Sequence, residues 1–413
     1  MIEISDRARE LVWSAESALT GVFQRTDAIE MANQQRVLEA FWAERVSARH
    51  FTPTTGYGYD DIGRDTLDRV FARALSAEAA LVRPQFANGT HAIYTALASL
   101  VEPGDRILSI TGQPYDTLQT AIGLSGDASN SLKKMGVRFD AIELLPDGGI
   151  DLEAIRSADA SFVKVVFVQR SCGYAWREAM SMAKLEEAFT LAKTLFPRAS
   201  ILVDNCYGEF VESTEPSVHG ADLIAGSLIK NPGGGLAPTG GYIAGTAELV
   251  ERAAFRLTVP GMGGEVGSYA GDYRPFYQGL FLAPHVTTQC VKGAVLFARV
   301  FEALGLETMP RGDAVRSDII QAVRFADADS LVAFCRSIQK AAPVDSYVSP
   351  EPWDMPGYED QVVMAAGTFV QGATTELSAD GPIRAPYTAY VQGSLTYAHA
   401  RIAAMLACDT LLK

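Results

Sequence analysis

Four short runs rich in β-branched and apolar residues, "SFVKVVFVQ", "ASILVDN", "ADLIAGSL" and "GGYIAGT", follow one another between residues 161 and 246. Each is strand-length, and a helix-like stretch, "AMSMAKLEEAFTLAKTLF", separates the first two. Upstream the same rhythm holds, with helix "TLDRVFARALS", strand "AALVRPQF", helix "THAIYTALASL" and strand "DRILSIT". Apolar strands alternating with helices predict a mainly parallel sheet covered on both faces, an α/β fold.

Other segments frame that unit. Residues 1–50 show apolar positions at helical spacing and read as an N-terminal helical arm. "TPTTGYGYDDIGRD" reads as an ordered loop. Residues 51–290 form the large α/β domain. "HVTTQCVKGAVLFARVFEALG", near 285–305, reads as a long linking helix that ends at a glycine. From 291 to 413 a smaller α+β domain is expected, with strands in "QVVMAAGTFV" and "YTAYVQG" and a closing helix in "LTYAHARIAAMLACDTLL".

Charge and cysteine usage narrow the function. Lys plus Arg total 35 against 49 Asp plus Glu, a net of −14. That balance argues against nucleic acid or an anionic membrane as partner, so an anionic small molecule needs a locally positive pocket. Cys172, Cys206, Cys290, Cys335 and Cys408 are scattered without C-x-x-C spacing, and the five histidines form no ligand pattern, so no metal site is expected. No run of about 18 apolar residues stands out, and "MIEISDRARELVW" does not read as a signal peptide. A cytoplasmic location is expected.

In open α/β sheets, ligands bind beyond the carboxyl ends of the strands. Asn88, Gly89 and Thr90 follow one strand and open a helix, where free N–H groups, a hydroxyl and the helix dipole suit a phosphate. Taken alone they also fit an ordinary N-cap. Tyr115, in "GQPYDT", could stack on a flat ligand or pack. Asp204 ends the strand "ASILV", either as a turn residue or as the partner of a protonated ring nitrogen. In "AGSLIKNPGGG", Ser227 and Lys230 end the next strand. An amine desolvated there should have a lowered pKa and form a Schiff base, unless it is an exposed loop lysine. Gly233 to Gly235 would let backbone pass close to a bulky ligand. Together these residues spell what pyridoxal 5'-phosphate requires: an amine for its aldehyde, a carboxylate for its ring nitrogen and a helix N-terminus for its phosphate.

The stretches "VRPQFANGTHAI", "TGQPYDTL", "VDNCYGEFVE", "GSLIKNPGGGLAPTGGYIAG", "MPGYEDQVVMAAGTF" and "ELSADGPIRAPY" resemble the fold-type I pyridoxal-phosphate enzymes of Cys/Met metabolism. Within that group they are most similar to the methionine gamma-lyase family, or aluminium resistance protein branch, from about residue 50 to the end. The resemblance implies an aspartate aminotransferase-like large domain and a homodimer or homotetramer. It implies a carbon–sulfur lyase acting by elimination on a small amino-acid substrate of the methionine, cystathionine or cysteine type. An aminotransferase, or a cofactor-binding protein with little turnover, uses the same residues.

By the same resemblance Lys230, Asp204 and Tyr115 are the catalytic set, with Ser227 and Asn88 to Thr90 around the phosphate. Arg384 is the candidate for the substrate carboxylate, with Arg170 and Gln169 near the cofactor or substrate. Tyr59 and Arg64 lie in a loop that, in the resembled lyases, crosses a dimer interface to the neighbour's phosphate. A pairing of Arg64 with Asp60 or Asp61 inside its own chain is the alternative. The chain departs from the better-known lyases, which have Ser-Gly-Met at residues 88–90 and Ser-x-Thr-Lys at 227–230. Those departures leave the substrate open.

Overall fold

The protein is described by a computed structural model that covers residues 4–355 and 360–412, so residues 356–359 of the "MPGYEDQ" motif lie outside the described residues. Seven strands make the large sheet: β1 (Ala79–Arg83), β2 (Arg106–Ser109), β3 (Arg138–Ala141), β4 (Val163–Gln169), β5 (Ser200–Asp204), β6 (Leu223–Ser227) and β7 (Gly241–Gly245). Their order is β1-β7-β6-β5-β4-β2-β3. β7 runs antiparallel to both neighbours, and the remaining pairs are parallel. The carboxyl ends of β1, β2, β4, β5 and β6 therefore open onto one edge. β4 and β5 are buried along almost their whole length, which explains their unbroken apolar sequence. β1 stops at Arg83 because Pro84 brings no N–H to a ladder.

A second sheet, antiparallel throughout, holds β8 (Thr308–Met309), β9 (Ile320–Arg324), β10 (Val362–Ala365), β11 (Ser378–Pro382) and β12 (Thr388–Gln392) in the order β10-β11-β12-β9-β8. The linking helix starts earlier than its sequence predicts. It runs Arg274–Ala303 and passes through Pro284. Phe276, Tyr277, Leu280 and Ala283 enter the core of the large unit. Val286, Val291, Val295 and Phe301 enter that of the C-terminal unit. Burial on two cores outweighs the local cost of the proline. By length and composition this helix could cross a membrane, but packing against both units accounts for its apolar character.

The N-terminal segment forms helices Asp6–Ser17 and Thr20–Ala43, the first capped by Ser5. This N-terminal helical arm folds onto its own chain. Ala8, Val12 and Ala15 share one face and join the C-terminal core, while Val37 and Ala40 join the large one. Asn33 is fully buried, and its side chain donates to the Phe210 carbonyl at 2.8 Å and the Glu212 carbonyl at 3.1 Å. The second helix thus braces the loop that follows β5.

Candidate active site

A cavity of about 360 Å³ opens at the carboxyl edge of the large sheet and is closed from the other side by the C-terminal sheet. Asn88, Gly89, Thr90, Tyr115, Gln169, Asp204, Ser227 and Lys230 all line it. A sequence separation of more than 140 residues collapses to one site because each residue follows a strand at the same edge.

The turn expected to receive a phosphate is built from backbone. Asn88 caps helix Gly89–Leu100 by accepting the His91 N–H at 2.9 Å. The amides of Gly89 and Thr90 belong to the first turn, which has no intrahelical acceptor. A Cβ on Gly89 would lie 3.0 Å from the Ser227 Cβ and 3.4 Å from the Cys206 sulfur, so only glycine brings this turn so close to β6. The Tyr115 hydroxyl donates to Thr90 Oγ1 at 2.9 Å, and Thr117 Oγ1 lies 3.5 Å from the same atom. Gln169 accepts the Tyr115 N–H at 2.9 Å and so fixes the position of that ring. Burial first, then the Asp204 charge, holds the Tyr115 hydroxyl well above its ordinary value, so it stays a donor.

Lys230 and Asp204 are coupled. Asp204, 3% exposed, accepts the Cys206 N–H at 3.1 Å. Burial raises its pKa, opposed chiefly by Lys230. Burial disfavours the Lys230 ammonium, yet Cys206, Tyr207, Asp204 and Tyr115 together push its pKa well above the ordinary value. This corrects the expectation of a lowered lysine pKa: in the protein alone, the surrounding acidic groups, Cys206 and Tyr207 ahead of Asp204, together outweigh desolvation. The Tyr207 ring lies 3.8 Å from Lys230 Nζ, adding a cation–π contact.

Three arginine expectations also fail on geometry. Arg170 does not face the cavity. It is fully buried and donates to Asn205 Oδ1 at 2.9 Å, the Gly208 carbonyl at 2.8 Å and Glu212 Oε1 at 2.8 Å. It clamps the loop carrying Asp204 and Tyr207, and is a positioning residue. Arg170→Ala should lower stability by about 3 kcal/mol, since it strands Glu212 and several acceptors. A denaturant midpoint unchanged from the parent's would count against that role.

Arg384 faces outward and pairs with Asp360 at 3.0 Å, away from the cavity. Arg64 is 1% exposed. Its guanidinium serves its own chain, through Asp65 Oδ1 at 2.8 Å and the Gly58 carbonyl at 2.8 Å, and Asp61 caps its N–H at 2.9 Å. Such burial leaves it no face for a neighbour's phosphate. Tyr59 is exposed, stacked on Tyr57 with centroids 5.4 Å apart, and lies outside its own chain's cavity, so its expected place at a neighbour's phosphate stays a proposal. The glycines after Lys230 serve packing rather than a ligand. A Cβ on Gly234, at φ +53°, would lie 2.2 Å from the Gly279 carbonyl, so the run docks the lysine turn onto helix Arg274–Ala303.

Tyr174, Tyr207, Met364, Asp380, Tyr390 and Gln392 complete the wall and were not singled out from sequence. Tyr207 was legible in principle, three residues beyond Asp204 inside the quoted "VDNCYGEFVE". Its carbonyl accepts from Asn231 at 3.0 Å, next to Lys230.

The donor set fits pyridoxal 5'-phosphate: a half-buried amine, a buried carboxylate in the same cavity and a glycine-pinched helix N-terminus ringed by hydroxyls. The methionine gamma-lyase family model matches residues 8–412. The uncharacterized protein YnbB of Bacillus subtilis is 49% identical over 406 residues, 98% of this chain and 96% of its own. A carbon–sulfur lyase involved in aluminium resistance from Clostridium novyi NT superposes with a TM-score of 0.95 at 48% identity, covering 99% of this chain and 96% of that one. The pyridoxal-5'-phosphate-dependent protein YhfS of Escherichia coli shares the fold, with a TM-score of 0.62 at 16% identity over 95% of this chain and 97% of its own.

Proposed function

The chain belongs to the methionine gamma-lyase family, a pyridoxal-phosphate-dependent family of fold type I, and from that premise we propose that it is a carbon–sulfur lyase. Its substrate is a sulfur-containing amino acid, from which elimination releases a thiol, ammonia and a 2-oxo acid. The observation that carries the reading is Lys230, half-buried and lining one cavity with Asp204 and the helix N-terminus at Gly89.

Lys230 would hold the cofactor through its amine, Asp204 would face the ring nitrogen, and Gly89, Thr90 and Ser227 would receive the phosphate. When bound, the cofactor supplies an electron sink for negative charge developing at the substrate α carbon. The Asp204 carboxylate keeps a proton on the ring nitrogen by opposing its loss with a buried negative charge. The Lys230 amine would accept the α proton of the substrate as general base. Tyr115, kept protonated by burial, donates toward the departing sulfur. Tyr207 and Tyr390 narrow the cavity and limit water around Lys230.

The test is incubation of the cofactor-loaded protein with L-cystathionine, L-methionine and L-cysteine, measuring 2-oxo acid and thiol without added keto acid. Thiol release supports the lyase. Nitrogen transfer to an added keto acid, with no thiol formed, supports the aminotransferase instead. We further propose a homo-oligomer, on the exposed Tyr57–Tyr59 stack and on Met31 and Trp42, each more than half exposed. A fully active monomer in sedimentation would remove that proposal.

A further inference from the structure

We propose that Asp380 selects substrates whose thioether side chain ends in an ammonium group, an inference about substrate class that rests on the lyase reading above. β11 brings Asp380 to the cavity from the C-terminal sheet, on the wall that also carries Met364, Tyr390 and Ile320. On that wall Asp380 is the one charged side chain among the described residues, with Gln392 the other polar aliphatic one. Asp204, the cavity carboxylate at the end of β5, is engaged with Lys230 and the Cys206 amide. Asp380 has no such role in the chemistry.

Its surroundings lack a counter-charge. The Tyr174 hydroxyl bonds the carboxylate, while Oδ1 is buried with no hydrogen-bond partner. Tyr390 cannot serve it, because its hydroxyl is given to the Tyr174 carbonyl. Arg384, four residues further on, is turned to Asp360. Burial pushes the Asp380 carboxyl up to about 7, which is what an unpaired carboxylate in a dry wall does. Asp380 also acts on Tyr207, whose ring covers Lys230, so it stands within electrostatic reach of the reacting groups. A cation arriving with the substrate would supply the missing partner and take up the free oxygen. Cystathionine, whose far end carries an ammonium beside a carboxylate, offers that ammonium, and methionine does not.

Isosteres separate charge from size. S-(2-aminoethyl)-L-cysteine and S-propyl-L-cysteine differ in the terminal group, ammonium against methyl. The cofactor-loaded enzyme should favour the amine in kcat/KM by roughly tenfold or more, the scale of a desolvated charge pair. Asp380→Asn, which keeps shape, should bring the ratio close to one, and Asp380→Glu should restore part of it. A second arm avoids turnover. Calorimetry should show L-lysine, which has no carbon–sulfur bond, binding more tightly than L-2-aminoheptanoate, with the difference lost in Asp380→Asn. If both thioethers are inert but the lysine preference is present and Asp380-dependent, the site assignment stands and the lyase reading falls. An enzyme with no preference in either arm overturns the inference. So does a variant that loses both isosteres equally.

Discussion

Lys230→Ala is expected to abolish 2-oxo acid production, with a loss of at least about a thousandfold in kcat, as removal of a positioned general base implies. Among the described residues lining the cavity, Lys230 is the one cation. Alanine therefore removes the amine that holds the cofactor, the base, and the counter-charge of Asp204 together. The carboxylate would then be buried without its chief opposing charge and its pKa would rise further. Lys230→Arg separates these roles. A guanidinium keeps the charge beside Asp204 but stays protonated, so it serves neither as nucleophile nor as base. Both variants should be inactive, and Arg should retain more of the parent's stability. Borohydride reduction and peptide mapping give an independent readout, a cofactor-bearing peptide at Lys230 in the parent that is missing from both variants. A Lys230→Ala protein within tenfold of parent kcat would end the assignment.

The large sheet was legible because buried parallel strands leave a continuous apolar record, and the site residues on them are what interrupts each run. Asp204 ends "ASILV" and Lys230 follows "ADLIAGSL". Both stand where the strand meets the cavity, so polarity after an apolar run was informative. Asp380 sits in β11, whose five residues are SADGP. Asp, Gly and Pro there read as a turn, and the strand exists because its partners in the second sheet pair with it. Tertiary pairing overrode local propensity, and the strand and its cavity-facing carboxylate were hidden together. Pro284 masked the start of the linking helix in the same way.

The arginines show the converse failure. Arg170, Arg384 and Arg64 each stood at a suggestive place in sequence, yet each guanidinium is taken by acceptors of its own chain. An arginine's reach is long enough that its sequence position says little about which carboxylate it meets.

Asp204→Asn should leave the cofactor bound while slowing α-proton exchange by about a thousandfold, equivalent to roughly 4 kcal/mol in the barrier. The asparagine oxygen can still accept the Cys206 N–H that Asp204 accepts at 3.1 Å, so the turn after β5 survives. What it cannot supply is charge. Without a carboxylate the ring nitrogen is no longer held protonated and the electron sink weakens, although every distance in the site is kept. The change also reaches Lys230. Asp204 raises the lysine pKa against the pull of burial, so its removal should lower that pKa. In the cofactor-free variant, the pH midpoint for reaction of Lys230 with a small aldehyde should move down relative to the parent. A merely structural aspartate would move neither the exchange rate nor that midpoint. Near-parent exchange with an unshifted midpoint would reduce Asp204 to a turn residue.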